Sequence, residues 1–296
     1  MKLKQLTAIA TDKSKFKNLN NYCEFAEKYL EYVSEKLQAI IVSQNENHYQ
    51  FFQYGKDGGY QITRPINSRL MCTITDFLKL KKKVVANLKK VKDFKSREDR
   101  QAINQIVYTL QMSIGSALDG LPAGKSNTAR KINGDLFEHL IRLIIREIGI
   151  PCESGVVQIP VIVGGKEQFR MSYQHDLIVK NADKIKLIGS IKTSSKDRLD
   201  KIFIDKFLYS KLTETTTPHI AVFLNDVQRK RVKAKNKYGI NATFLPGHFR
   251  GYTVKLNPLD GVYYCDIRPN MLTEYILKDH IKTFDHLLCE DIWELL

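Results

Sequence analysis

Tyr173-Gln-His-Asp176-Leu-Ile-Val179 and Ser190-Ile-Lys192-Thr-Ser-Ser-Lys196-Asp197-Arg198 are joined by the polar turn Lys180-Asn-Ala-Asp-Lys184 and the run Ile185 to Gly189. Asp176 heads a run of strand-forming residues, the turn reverses the chain, and Ile185 to Lys192 returns as a second strand. A hairpin centred near residue 184 brings Asp176 beside Lys192. Positions 176, 190 and 192 share parity, so a simple antiparallel register puts Asp176, Ser190 and Lys192 on one face. There a carboxylate and an ammonium can share a metal-bound water.

The flanks of this hairpin set the fold class. From Asp135, the residues Leu136, Phe137, Leu140, Ile141, Ile144, Ile145 and Ile148 form a wide apolar helical stripe that stops at Gly149-Ile-Pro151. Strands follow at Val156 to Val163, Phe169 to Val179 and Ile185 to Lys192, then a helix from Asp197 to about Leu212 and a strand at Ile220 to Leu224. The order α, β, β, β, α, β describes an α/β fold, a mixed sheet flanked by helices, in which the strand after the second helix returns beside its neighbours. Past Asn225 the chain is basic (Arg229, Lys230, Arg231, Lys233, Lys235, Lys237), passes through short strands and closes with a helix from Leu272 to Leu296.

Residues 1–130 read as a separate, mostly helical and basic region, and 131–296 as the domain carrying the hairpin. Residues 15 to 45 have a helical rhythm with Phe25, Tyr29, Tyr32 and Leu37 on the apolar stripe. Gly55-Lys-Asp-Gly-Gly59 is a reversal between two short strands. Asp76 to Arg100 reads as a basic helix with Phe77, Leu80, Val84, Leu88 and Val91 inside, its lysines forming either a solvated face or one that meets DNA. After an apolar helix, Ala102 to Leu118, comes Gly124-Lys125-Ser126, which imitates the end of a nucleotide-binding loop. The glycine such a loop needs at 119 is Asp119, so no nucleotide cofactor is expected; Lys125 and Arg130 instead belong to a basic loop that can close on DNA.

The 296 residues include 47 basic and 32 acidic side chains, a formal charge of +15. That sign and size point to a phosphate-bearing partner, and double-stranded DNA leads. No apolar run is long enough to span a membrane and the N-terminus lacks a signal-peptide core, so a cytoplasmic protein with no membrane partner is expected. Cys23, Cys72, Cys152, Cys265 and Cys289 are odd in number and scattered, which suits reduced structural thiols.

Hydrolysis of a phosphodiester needs a nucleophilic water, neutralised phosphoryl oxygens and help for the leaving alkoxide, which Mg²⁺ on carboxylates supplies. Asp176 is the first candidate ligand, Lys192 orients and polarises the water, and the carbonyl of Ile191 can complete the shell. The second acid is Glu138, at the edge of the buried face of its helix, or Asp205, which shares a helical face with Arg198 and Lys201; Asp200 is a rival to Asp205. Their bland readings are a Glu138–Arg142 pair and a solvated carboxylate. Lys196, Asp197 and Arg198 suit base reading: arginine holds guanine O6 and N7, and aspartate accepts from cytosine N4. Asp197 could otherwise simply cap the helix. His139, His219 and His248 are expected to be structural or superficial.

Ser190-Ile-Lys192-Thr-Ser-Ser-Lys196-Asp197-Arg198, with Asp205 behind it, resembles the variant PD-(D/E)XK core of type II restriction endonucleases of the EcoRII and CCGG-cutting group. The resemblance implies that Asp176 and Lys192 are the core pair, Ser190 the exchanged acidic position, Asp205 the migrated acid, Glu138 the upstream helix acid, and Lys196-Asp197-Arg198 the element reading C·G pairs. The sequence departs from that pattern at His175, where proline often stands, in having Asp rather than Glu at 205, and in the short Asp176 to Lys192 spacing. It further implies a Mg²⁺-dependent homodimer cutting duplex DNA at a short palindrome. Two other readings are a structure-specific repair or recombination nuclease of the same superfamily and a DNA-binding protein without catalysis.

Overall fold

The computed structural model describes residues 1–56, 59–122, 124–196, 198–231 and 237–296. The N-terminal half is built from helices α1 (Leu3–Thr11), α2 (Leu19–Lys36), α3 (Ile74–Val84) and α4 (Arg97–Leu118), with a small antiparallel sheet of β1 (Ala39–Val42), β2 (Tyr49–Lys56), β3 (Gly59–Ile62) and β4 (Ile66–Asn67). Asn18, Thr73 and Ser96 start α2, α3 and α4 by accepting a backbone N–H two or three residues into the helix. α4 is buried along nearly its whole length and packs against α1, α2 and α3.

Two expectations fail here. The helix read through residue 45 ends at Lys36, because Ile40-Ile41-Val42 are β-branched and Ala39–Val42 pairs with β2. The basic helix read over 76–100 is broken: α3 gives way to a 3₁₀ stretch, Val85–Asp93, with Lys90 off helical geometry, and α4 starts afresh. Val84-Val85 and Asn87 are poor helix formers, while Leu88 and Val91 still reach the core. The glycine-rich reversal is a β2–β3 hairpin whose tip lies outside the described residues.

The second half follows the expected order. α5 (Ser126–Glu147) precedes β5 (Cys152–Val163), β6 (Lys166–Asn181) and β7 (Lys184–Ser194), then α6 (Leu199–Thr213) and β8 (His219–Asn225). β9 (Val227–Arg231) and β10 (Tyr238–Ala242) form a hairpin, and α7 (Pro246–Lys255), β11 (Gly261–Tyr264) and β12 (Ile281–Thr283) complete the sheet. The strand order is β12-β11-β8-β7-β6-β5, antiparallel through β5–β6–β7 and parallel from β7 to β12. β8 thus does return beside β7. α5 covers one face through Leu136, Phe137, Leu177, Leu187 and Ile191, while α6 covers the other through Phe203 and Tyr209. The α5-side cluster also takes in Leu6, Tyr22, Phe77 and Tyr108, so it runs through both sides of residue 130.

The final helix read over 272–296 is also corrected. Short turns at Pro269–Thr273 and Leu277–His280 are separated by Ile276, at φ 69°, and Ile281-Lys-Thr283 is the edge strand paired in parallel with β11. Helix resumes only from Phe284. All five cysteines are buried free thiols. Among the described residues no helix is long and apolar enough to cross a membrane.

His219, at the start of β8, is buried; its Nδ1–H donates to the Thr217 carbonyl at 2.9 Å, and burial pushes the imidazole down to about 4. Between that value and about 6.5 the unfolded chain binds the proton that the folded chain refuses, so this group lowers stability as pH falls. Asp226 and Asp266, pushed by burial up to about 6 and about 7, act in the opposite sense. The difference between wild type and His219→Leu isolates the histidine: urea unfolding should show it growing by on the order of 3 kcal/mol from pH 7 to pH 4.

Candidate active site and basic cleft

The hairpin that carries Asp176 is irregular on both sides. Against β5, Glu153 faces Ile178 but Gly155 faces His175, so β6 holds one extra residue around Asp176. Against β7, Leu177 faces Gly189, with a further shift at Val179/Lys180 and a tight turn whose Ala182 has φ 50°. The reversal is therefore centred earlier than residue 184, and continuing the ladder puts Asp176 opposite Ser190 rather than Lys192. The long side chain of Lys192 makes up the difference.

Asp176 is 9% exposed. Its Oδ2 accepts from the Ile191 backbone N–H at 2.8 Å and from Lys192 Nζ at 2.5 Å. Lys192 also donates to Glu138 Oε1 at 2.9 Å, so one ammonium bridges two carboxylates from β6 and α5. Arg142, one turn along α5 from Glu138, donates to the Asp176 carbonyl at 2.7 Å, which ties the bulged backbone to the helix. The pair read between Glu138 and Arg142 as the bland alternative is thus replaced by two separate roles. Burial, and then the charge of Asp176, raise the Glu138 carboxyl above its usual range despite Lys192. Burial works against the Lys192 ammonium, but Asp176 and Glu138 more than offset it and hold its pKa up.

Asp205 is on α6, across the sheet from Glu138, and forms an ion pair with Lys201 one turn back. Its charge reaches His175, beside Asp176, but its hydrogen-bond partner is Lys201. Asp200 is exposed in the first turn of the same helix. Among the described residues no three His, Cys, Asp or Glu side chains converge in a metal-binding group. The fold brings together Asp176, Glu138, Lys192 and the backbone of Ile191, and leaves Asp205 apart.

Glu138 and Lys192 open into a cleft of about 1000 Å³. Arg130, Lys196 and Arg198 line it. Lys125 is exposed between Gly124 and Ser126, which border the cleft, and Asp197 lies outside the described residues. The sequence reading missed the wall facing these groups. There Gln228 on β9 accepts from Lys196 Nζ at 3.1 Å, and Arg64 is clamped on Asp119 by hydrogen bonds of 2.9 Å from Nε and Nη2. That clamp gives Asp119 a structural task, and the Gly124-Lys125-Ser126 segment is entered from α4 rather than from a strand. Both pairings span long sequence separations and leave no local pattern. His139 binds the Tyr22 hydroxyl and His248 is exposed on α7.

The backbone resembles a solved structure over almost its whole length. The type IIP restriction endonuclease Kpn2I aligns with TM-score 0.70 and 18% identity over 99% of this chain and 96% of that one. The fold is a restriction-endonuclease fold. A complex of the restriction endonuclease PspGI with substrate DNA aligns with TM-score 0.43 and 11% identity over 74% of this chain and 92% of that one. No protein-family model and no curated protein matches the sequence.

Proposed function

We propose that this protein is a type II restriction endonuclease that hydrolyses double-stranded DNA with Mg²⁺ at a short palindrome containing C·G pairs. The observation that carries the reading is the Asp176–Lys192–Glu138 cluster at the base of a basic cleft, within a fold shared with Kpn2I along 99% of the chain. Its setting is the cytoplasm, and its assembly a two-fold homodimer whose symmetry matches the palindrome.

Magnesium suits the donor set. Asp176, Glu138 and the Ile191 carbonyl offer hard oxygen ligands, and the raised pKa of Glu138 marks a pair of carboxylates that one ammonium does not fully neutralise. When bound, the ion supplies Lewis-acid stabilisation of phosphoryl oxygens. The chain's own groups do the rest. Asp176 is held by the Ile191 N–H and, through its carbonyl, by Arg142. Lys192 directs its ammonium at the oxygen that attacks. Arg130 and Lys125 hold the backbone of the duplex, and Lys196 and Arg198 read bases from the wall before α6, with Asp197 between them in sequence as the third member of that element. The same chemistry is open to a structure-specific nuclease, but Arg198 on the cleft wall, a side chain able to hold guanine O6 and N7, favours sequence recognition.

Incubation of the purified protein with unmethylated phage DNA in EDTA should leave it intact, and adding Mg²⁺ should yield discrete bands; smearing or no change would count against the reading. Arg198→Ala should reduce preference for the cognate site over single-base variants by about 1–3 kcal/mol in competition binding. Equal loss on cognate and random DNA would mean that Arg198 contacts only phosphate.

A further inference from the structure

A second concavity, of about 600 Å³, lies outside the cleft. It opens beyond the C-terminal ends of β11 and β12, at Cys265-Asp266-Ile267 and Thr283 to His286, and is closed by the start of α4 and the turn after β4. Because β7, β8, β11 and β12 are parallel, their C-terminal ends share one edge of the sheet. Lys192 and Asn225 at the ends of β7 and β8 border the catalytic cleft, while the ends of β11 and β12 border the second concavity. The strand ends that border the two openings are therefore one to three strand spacings apart, about 5–14 Å, while the α4 residues that line them, Asn104 and Leu118, are separated by about 21 Å along the helix. A duplex laid across that edge passes from one to the other.

The charges at the second opening are suited to phosphate. Arg69, Lys95 and Arg97 are exposed at its mouth and have no acidic partner among the described residues. Arg100 is matched by Glu290, which also holds His286, and His48 faces Glu46. Two carboxylates line the floor, and both are engaged. Asp266 accepts from Tyr49 and Asn67 at 3.0 and 2.7 Å, and Asp285 from Asn104 at 2.7 Å. Burial pushes Asp266 up to about 7, which lessens the negative charge met by an incoming anion. Three unpaired cations around one hollow, on the edge that carries the active site, are more than solubility requires.

We infer that Arg69, Lys95 and Arg97 form a second phosphate-binding subsite, which grips the backbone of the same DNA away from the phosphate being cut. This deepens the nuclease reading and rests on it for the identity of the anion. The subsite adds affinity and register but no base recognition, since its described lining shares no residue with that of the cleft carrying Lys196 and Arg198.

Binding of a 40-base-pair duplex by wild type and by the Arg69→Gln/Lys95→Gln/Arg97→Gln variant, followed by anisotropy from 50 to 200 mM KCl, tests it. The variant should bind about ten- to a hundredfold more weakly, with the slope of log affinity against log salt reduced by about 2–3. On a duplex trimmed to end just outside the cut position, the two proteins should converge. Identical slopes and affinities on the long duplex would overturn the subsite. If the triple variant melts early, Arg69→Gln and Arg97→Gln separately should each lower the slope by about 1, and an unchanged slope in both would overturn it equally. Failure of the nuclease reading looks different: wild type would then cut no duplex in Mg²⁺, whatever its binding.

Discussion

Lys192→Ala should reduce single-turnover DNA cleavage by at least about a thousandfold while keeping site-specific binding within roughly tenfold of wild type. The ammonium lies between Asp176 Oδ2 and Glu138 Oε1, at 2.5 and 2.9 Å, where it can serve the attacking oxygen but contributes only one charge to a broadly basic cleft. Lys192→Arg should not restore the rate, because a planar guanidinium cannot place a compact charge between two converging carboxylates. Rates measured at enzyme excess, beside binding in EDTA, separate the two effects. Parallel loss of binding and cleavage would instead make Lys192 a DNA contact.

Glu138→Ala should cost about 10²–10³ in the same rate, and Asp205→Ala less than about tenfold. Glu138 shares Lys192 with Asp176 and carries a carboxyl raised by burial and by that neighbour, as expected of an acid drawn into a crowded anionic site. Asp205 is across the sheet, paired with Lys201. The family resemblance assigns the migrated acid to Asp205, so the two variants oppose geometry to analogy. A large loss in Asp205→Ala with Glu138→Ala near wild type would mean that α6, not α5, supplies the second carboxylate when DNA is bound.

The α, β, β, β, α, β order was legible because each element carries its own periodicity: the α5 stripe from Leu136 to Ile148, and strand runs bounded by Lys180 to Lys184 and by Pro151. The meeting of Asp176 with Lys192 was legible for the same local reason, since a hairpin joins them. Glu138 could be named as a candidate, but nothing in sequence chose it over Asp205. That choice depends on how α5 lies on the sheet, through Phe137, Leu177 and Ile191. Arg142 on the Asp176 carbonyl, Arg64 on Asp119 and Gln228 beside Lys196 were invisible because their partners are remote in sequence. Periodicity misled at the C-terminus, where the helical rhythm of Leu272 to Leu296 conceals a positive φ at Ile276 and a strand at Ile281–Thr283. There the open edge of β11 outweighed local preference.

Sequencing the ends of DNA fragments produced by wild type and by Asp176→Ala from unmethylated plasmid in Mg²⁺ is the most direct measurement. Wild type should leave ends that share one short, two-fold symmetric sequence containing C·G pairs, and Asp176→Ala should leave the plasmid whole. Ends without a common sequence, or the same fragments from the variant, would contradict a site-specific nuclease built on Asp176.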